Sequence, residues 1–344
     1  MSERKMASIY LRVVVLLLAM GANLYADSID QKTQRMDTGL PNLSERPQSQ
    51  DKNIDIFVDA LYWYTSETID WGFTLSTKQN FEQSTFKTIS FDWDPGFRVG
   101  LGYNMHHDQW DTQASYTWFQ TQATDHASGS VTSGFLAARL SLLEPFKTGK
   151  VSLNLHYNMF DWDLGRSFLV SKSLSLRPLI GAKAGWINQT MQLEFTTPNF
   201  GGLGVLYFAS EHVKNNFRGG GPKGGVNGKW ILGNVQRHVF SLIGNFSAAY
   251  MWGNWTLRDD FTDVFHTQTS IPMGKRNFGA LMLQALMGLG WDFNFDKDRS
   301  HFALKVGYEI QDWLNHFQVF TNASGTDNFD LILQGLTLDL RFDF

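Results

Sequence analysis

Charged side chains carry most of the chemistry available to this sequence. Arg98, Asp111, Arg139, Arg177, Lys183, Lys223, Lys229, Lys305, Glu309 and Arg341 fall on one face of segments that alternate polar and apolar residues. Asp55, Asp59, Asp92, Asp339 and Asp343 share that face. If such a face turned inward in a closed sheet, it would line a polar lumen for ions and small polar solutes, with no fixed preference of sign. Paired with one another, the same charges would close it. Motifs for bond-making are weak by comparison. Arg218-Gly-Gly-Gly-Pro-Lys-Gly-Gly225 has the look of a phosphate cradle, but no Gly-Lys-Ser/Thr occurs and no helical run follows. Glycines in a strand serve curvature or close backbone approach instead. His106-His107-Asp108 has ligand types in a short turn, where solvated side chains are the plainer reading. Neither His-Glu-x-x-His nor Gly-x-Ser-x-Gly is present. The expectation is no enzyme, no cofactor and no metal site, although scattered Asp, His and Ser that meet in space would make a barrel hydrolase.

The elements that position these charges are strands. Period-2 alternation puts residues i, i+2 and i+4 on one face. Ile54, Ile56, Val58, Ala60, Tyr62 and Tyr64 share a face, while Phe57, Leu61 and Trp63 join Asp55 and Asp59 on the other and make that strand imperfect. Val151, Leu153, Leu155, Tyr157 and Met159 alternate with Ser152, Asn154, His156 and Asn158. Phe302, Leu304, Val306, Tyr308 and Ile310 alternate with Lys305, Gly307, Glu309 and Gln311. Such runs are longer than the strands of a soluble sandwich and match the ~9–11 residues of a tilted membrane strand. Trp110 and Trp118 bracket one run, roughly 26 Å apart at ~3.3 Å per residue, near the height between two aromatic girdles. Trp93, Trp162, Trp186, Trp230, Trp252, Trp255, Trp291 and Trp313 also fall near the ends of runs.

Composition agrees. Aromatics are 15% and charged residues 18%, with 31 Gly, 8 Pro and no Cys; a soluble domain averages about 25% charged. Arg4, Lys5 and Arg12 precede the apolar run Val13–Met20, and Leu24-Tyr25-Ala26 offers a cleavage site. Residues 1–26 are expected to be a signal peptide and the polar residues 27–53 a periplasmic leader. Removing three cations and one acid takes the net charge from −4 to about −6, which disfavours nucleic acid.

Short turns at His106–Asp108, Pro145–Lys150 and Asp296–Ser300 alternate with longer segments at Ser66–Thr88, Thr196–Asn216, Thr256–Arg276 and Asn315–Asn328. The expected fold over 54–344 is all-β: a transmembrane antiparallel up-and-down β-barrel of about 12 strands, with short periplasmic turns and long extracellular loops. The strands are placed near 54–65, 89–104, 109–122, 132–144, 150–162, 163–170, 174–195, 217–230, 238–254, 277–295, 300–315 and 330–344. Hairpins near Trp71–Thr77 or Leu203–His212 would raise the number to 14 or 16. Leu336, Leu338, Leu340, Phe342 and Phe344 alternate to the last residue. A final amphipathic strand of this kind, with Leu338, Leu340, Phe342 and Phe344 outward, reads as a signal for the barrel-assembly machinery.

Several segments also carry a family likeness: Phe57-Val-Asp-Ala-Leu-Tyr-Trp63, Gly96-Phe-Arg-Val-Gly-Leu-Gly-Tyr103, His107-Asp-Gln-Trp-Asp111, Tyr116-Thr-Trp-Phe119, Asp161-Trp-Asp-Leu-Gly-Arg166 and Leu176-Arg-Pro-Leu-Ile-Gly181. In this order they resemble the Legionella-type major outer-membrane protein family, also found in chlamydia-related bacteria, over roughly residues 54–344. The resemblance implies a pore-forming, surface-exposed barrel of the bacterial outer membrane. Some relatives are cysteine-rich and cross-linked, which this chain is not. The expected function is a porin-like channel for passive diffusion of small polar solutes and ions. The alternative is a surface-exposed adhesion or structural barrel with a closed lumen. Expected partners are outer-membrane lipid, the assembly machinery, permeating solutes and a host surface, with an oligomer possible.

Overall fold

The computed structural model describes residues 54–343 except 79–80, 106–109, 141–144, 201, 203, 236, 266–267, 296–299 and 322–324. The expected signal peptide, the leader, His106-His107-Asp108 and Phe344 lie outside the described residues. Period-2 alternation becomes strands β1 (Ile54–Glu67), β2 (Asp70–Lys78), β3 (Phe81–Thr88), β4 (Trp93–Asn104), β5 (Trp110–Ser133), β6 (Phe146–Arg166), β7 (Phe168–Leu169), β8 (Leu174–Phe200), β9 (Val205–Val235), β10 (His238–Asp263), β11 (Gln268–Phe295), β12 (Ser300–Thr321) and β13 (Gly325–Asp343). One short helix, α1 (Leu136–Leu140), follows β5. Ten strands close an antiparallel ring in the order β1-β4-β5-β6-β8-β9-β10-β11-β12-β13, with β13 pairing back onto β1. Outside the ring, β2 and β3 form a hairpin that leans on β5, and β7 pairs with β8. Among the described residues no helix is long and apolar enough to cross a membrane. The chain crosses with its strands, and closure leaves no unpaired ring edge in lipid.

The barrel has two storeys with opposite polarity. On β10 the outward residues Phe240, Leu242, Phe246, Tyr250 and Trp252 are apolar, and the following ones, Asn254, Thr256, Arg258, Asp260 and Thr262, are polar. From Phe240 to Trp252 is ~40 Å of strand at ~3.3 Å per residue, or ~28 Å of height at ~45° tilt, close to the ~25 Å apolar band of such barrels. Inward residues change the other way, from Ser241 and Ser247 to Trp255, Leu257 and Phe261. On β6, Phe160 and Trp162 face out below Val151, Leu153, Leu155, Tyr157 and Met159, which face in. The lower storey is therefore a membrane barrel with a polar inside. The upper storey is a water-bathed barrel with an apolar inside. Outward Trp110, Trp230 and Trp291 sit toward the periplasmic turns, and Trp93, Trp118, Trp186 and Trp252 mark the storey boundary.

The ring has ten strands where the sequence suggests 12. Of the expected strand 132–144, the described residues are the end of β5 and α1, because Ala137, Ala138 and Leu140 favour helix and break the alternation. Residues 163–166 of the expected strand 163–170 continue β6, because the inward set runs in phase from Val151 through Asp163 with no turn between, and only Phe168–Leu169 beyond them forms a strand of its own, β7. The Asp70–Thr88 hairpin exists but stands off the ring, and of the expected Leu203–His212 hairpin residues 205–212 belong to the start of β9. Much of each expected long loop is strand: β9, β10, β11 and β12 run on into the upper storey, where polarity inverts and the membrane pattern stops. Trp255 and Trp313 are fully buried inside the barrel and are not girdle residues.

Candidate functional site in the barrel lumen

The lower lumen holds a belt of ion pairs. Arg98 on β4 lies 2.8 Å from Asp59 on β1 and 2.8 Å from Glu309 on β12, and its Nε donates to Thr117 at 3.0 Å. Glu309 also accepts from Gln284, Gln311 and Thr337 at 2.7, 2.8 and 3.0 Å. Arg177 on β8 bridges Asp111 and Asp163, the latter at 2.7 Å. Lys183 and Lys223 share Asp161 at 2.7 and 3.0 Å. Lys229 meets Asp292 at 2.9 Å, and His301 joins Asp292 to Asp343 at 3.2 and 2.6 Å. Lys305 pairs with Asp339 at 3.1 Å and Arg341 approaches Asp55 at 3.5 Å. Seven Lys and Arg side chains thus face nine carboxylates among the described residues. The pairing follows from burial: a charge taken out of water costs several kcal/mol unless an opposite charge and hydrogen bonds replace the solvent. The belt encloses a cavity of 260 Å³ that reaches Ser167, His301 and Asp343 at the periplasmic ends of the strands.

An apolar septum lies above the belt. Leu61, Trp63, Phe119, Tyr157, Ile187, Phe217, Met251, Trp255, Met282, Trp313 and Leu333 belong to one buried cluster to which nine of the ten ring strands contribute. Trp63, Phe119, Tyr157, Phe217, Trp255 and Trp313 are all 0% exposed. Their rings pack at centroid distances of 5.5 Å (Trp63–Phe119), 4.2 Å (Phe217–Trp255) and 6.0 Å (Tyr157–Trp313). Three buried polar handles find partners: Trp63 Nε1 donates to Thr337 Oγ1 at 3.3 Å, Tyr157 Oη to Gln311 at 2.7 Å and Trp255 Nε1 to the His316 carbonyl at 3.1 Å. Ring size is the physical reason for the filling. Eight strands leave just enough room for side chains and 16–18 leave a channel, so ten large-residue strands close on themselves.

Above the septum, α1 docks inside the upper storey. The Ala137 N–H donates to Asp259 at 2.9 Å and the Ala138 N–H to Glu211 at 2.8 Å, while Ser133 Oγ donates to Glu211 at 2.6 Å. Phe135, Ala137 and Ala138 pack into a second buried cluster with Phe146, Phe195 and Tyr207. Burial pushes the Asp259 carboxyl up to about 6 against the pull of the Ala137 N–H. Burial likewise pushes Glu67, at the top of β1, to about 8, although Gln189 donates to both of its oxygens at 2.9 and 2.7 Å.

Nine of the ten charges singled out in the sequence, Arg98, Asp111, Arg177, Lys183, Lys223, Lys229, Lys305, Glu309 and Arg341, meet in the belt, together with Asp55, Asp59, Asp339 and Asp343. Arg139 falls in α1, and its side chain lies outside the described residues. Asp92 does not join the belt, being exposed ahead of β4. Sequence reasoning missed Asp161, Asp163, Asp292 and His301 and the whole septum. The signal for the septum was the second face of β1, where Phe57, Leu61 and Trp63 interrupt the polar set. At the C-terminus, Leu338, Leu340 and Phe342 face outward on β13.

A model of the family described as Legionella pneumophila major outer membrane protein precursor matches residues 46–344. The chain belongs to this family. It is a β-barrel of the bacterial outer membrane. No curated protein matches the sequence. Similar solved structures include the outer membrane protease OmpT from Escherichia coli (10% identity, 86% of this chain and 97% of that one, TM-score 0.40). Others are the toluene transporter TodX of P. putida (8%, 88% and 91%, 0.29) and the attachment invasion locus protein Ail of Yersinia pestis (10%, 84% and 98%, 0.24).

Proposed function

We propose that this family member is a closed-lumen barrel that acts at the cell surface through its upper storey, with no catalytic step. The observation that carries the reading is the septum: fully buried aromatic side chains from opposite walls meet across the lumen and leave the charged cavity blind. The upper storey adds a rigid projection. From Trp252 to Asp263 is ~36 Å of strand at ~3.3 Å per residue, held beyond the apolar band. Its β2–β3 hairpin and strand tips present the surface a host or neighbouring cell would meet. Single-channel recording of the folded full chain in a planar bilayer tests this. The expected result is no stepwise current from heat-modifiable, folded barrel; steady steps overturn it.

The second reading is a porin-like channel for small polar solutes and ions. It is favoured by the cavity itself, where charges of both signs and the side chains of Asn227, Asn245 and Ser247 line a space larger than packing requires. On that reading the septum is a gate, and the belt charges set selectivity. We further propose that 1–26 is cleaved on export, that 27–53 is a periplasmic leader, and that the assembly machinery reads β13 together with the residue after it, Phe344.

A further inference from the structure

Three outward-facing cations cluster just above the aromatic boundary on the wall formed by β8, β9 and β10. Strand register sets them in consecutive outward rows. The first row is Trp186, Arg218 and Asn254; the second is Asn188, Asn216 and Thr256; the third is Thr190, Lys214 and Arg258. Arg218, Lys214 and Arg258 are exposed, and neither Arg218 nor Lys214 has an ion-pair partner among the described residues. Arg258 is held by Asp260, with Nε 2.6 Å from one carboxylate oxygen, and Asp260 also accepts from Ser270 at 2.6 Å. That acid, with His212 beside it, stands one row farther from the membrane. The three rows nearest the bilayer contain no acid. Across the ring, β12 and β13 carry acids instead, Asp312 and Asp330.

Directly below these rows the wall loses its bulk. Ala184 and Gly220 form the next row and Ala182 and Pro222 the one after, with Trp252 and Tyr250 rising beside them on β10. Toward β6, Ala182 and Ala184 border an apolar recess of 710 Å³ on the lipid face, walled by Tyr116, Phe160 and Trp162. Cations with amide and hydroxyl neighbours at headgroup height, above a low apolar surface, fit a phosphorylated lipid: phosphate on the guanidinium and ammonium groups, acyl chains on the small residues. Charge-assisted N–H···O bonds to phosphate are about twice as strong as neutral ones, and Arg matches phosphate bidentately.

We propose that Arg218, Lys214 and Arg258 form a binding site for the phosphorylated headgroup of an outer-leaflet lipid. The site is on the outside of the barrel and is independent of whether the lumen conducts. The test is native mass spectrometry and a fluorescence titration of the folded full chain in neutral detergent. The probes are diphosphoryl lipid A, monophosphoryl lipid A, phosphatidylcholine and inorganic phosphate. Expected are saturable binding of diphosphoryl lipid A, binding at least fivefold weaker for the monophosphoryl form, and none for phosphatidylcholine or for inorganic phosphate at millimolar concentration. The Arg218→Gln/Lys214→Gln pair should weaken lipid A binding at least tenfold and flatten its salt dependence. Lys172→Gln, on the periplasmic side, should leave it unchanged. Equal binding of diphosphoryl lipid A and phosphatidylcholine, or an unchanged affinity in the folded double variant, overturns the site. Tight binding of inorganic phosphate alone would assign the cluster to a free anion and overturn the lipid. If the double variant fails to fold, the probe series on the unaltered chain still decides.

Discussion

Trp313 is the most informative side chain to remove. Its indole is 0% exposed in the septum and packs against Tyr157, Phe217 and His316 at ring distances of 6.0, 6.1 and 5.8 Å. Trp313→Ala deletes a group in contact with strands β6 and β9 across the lumen. Large-to-small changes of this kind cost ~3–5 kcal/mol, because the transfer term adds to that of a cavity that cannot collapse. A rigid ring of ten hydrogen-bonded strands is a poor candidate for collapse. The variant should therefore lose ~3–5 kcal/mol in urea-detergent unfolding. The void also connects the cavity below to the upper storey, and a second truncation, Trp255→Ala, widens the breach. The closed-lumen reading expects silence from the unaltered chain in a planar bilayer, rare small steps from Trp313→Ala and regular steps from the double variant. Unfolding free energies within ~1 kcal/mol of the parent, well below the cost of a buried large-to-small change, would refute the packing. An identical steady conductance in parent and variants would refute the septum as the barrier.

Three further outcomes follow from the same geometry. Arg98→Leu leaves Asp59 and Glu309 buried without their cation and should cost ~3–5 kcal/mol, while adding Asp59→Asn and Glu309→Gln should restore much of it; urea unfolding of the three proteins checks both parts. For Glu67, the folded pKa of about 8 lies above the ordinary 4.5. Between those values the folded chain holds a proton the unfolded chain has released, so stability is full at low pH and falls as pH rises through about 8. The slope reaches at most ~1.4 kcal/mol per pH unit, and Glu67→Gln should flatten it and stabilise the barrel at pH 7; an unchanged pH profile of unfolding would show that Glu67 is not the group responsible. Glu211→Ala strips the acceptor from the Ala138 N–H at a cost of ~1–3 kcal/mol, and faster hydrogen exchange at residues 137 and 138 reads the undocking of α1.

Alternation alone was enough to name the fold class, because a strand's two faces are written in its residue order. It also placed nine of the ten chosen charges inside, since in the lower storey every outward neighbour must be apolar to meet lipid. Ile54, Ile56 and Val58 against Asp55 and Asp59 are the plain example. The same rule misled wherever the solvent changed. Along β6, Val151 to Met159 face the lumen although they are the apolar set, because that stretch of wall is bathed by water and not lipid. Residue order records which side chains share a face; it does not record which face the bilayer touches. Strand number was beyond it too, since Ala137 and Ala138 become helix only where Asp259 and Glu211, over 70 residues away, supply acceptors for their N–H groups. Whether the lumen is filled is decided last. It depends on ten strands rather than 12 setting the radius, and on Trp63, Trp255 and Trp313 meeting from different walls, distances that exist only once the sheet has closed.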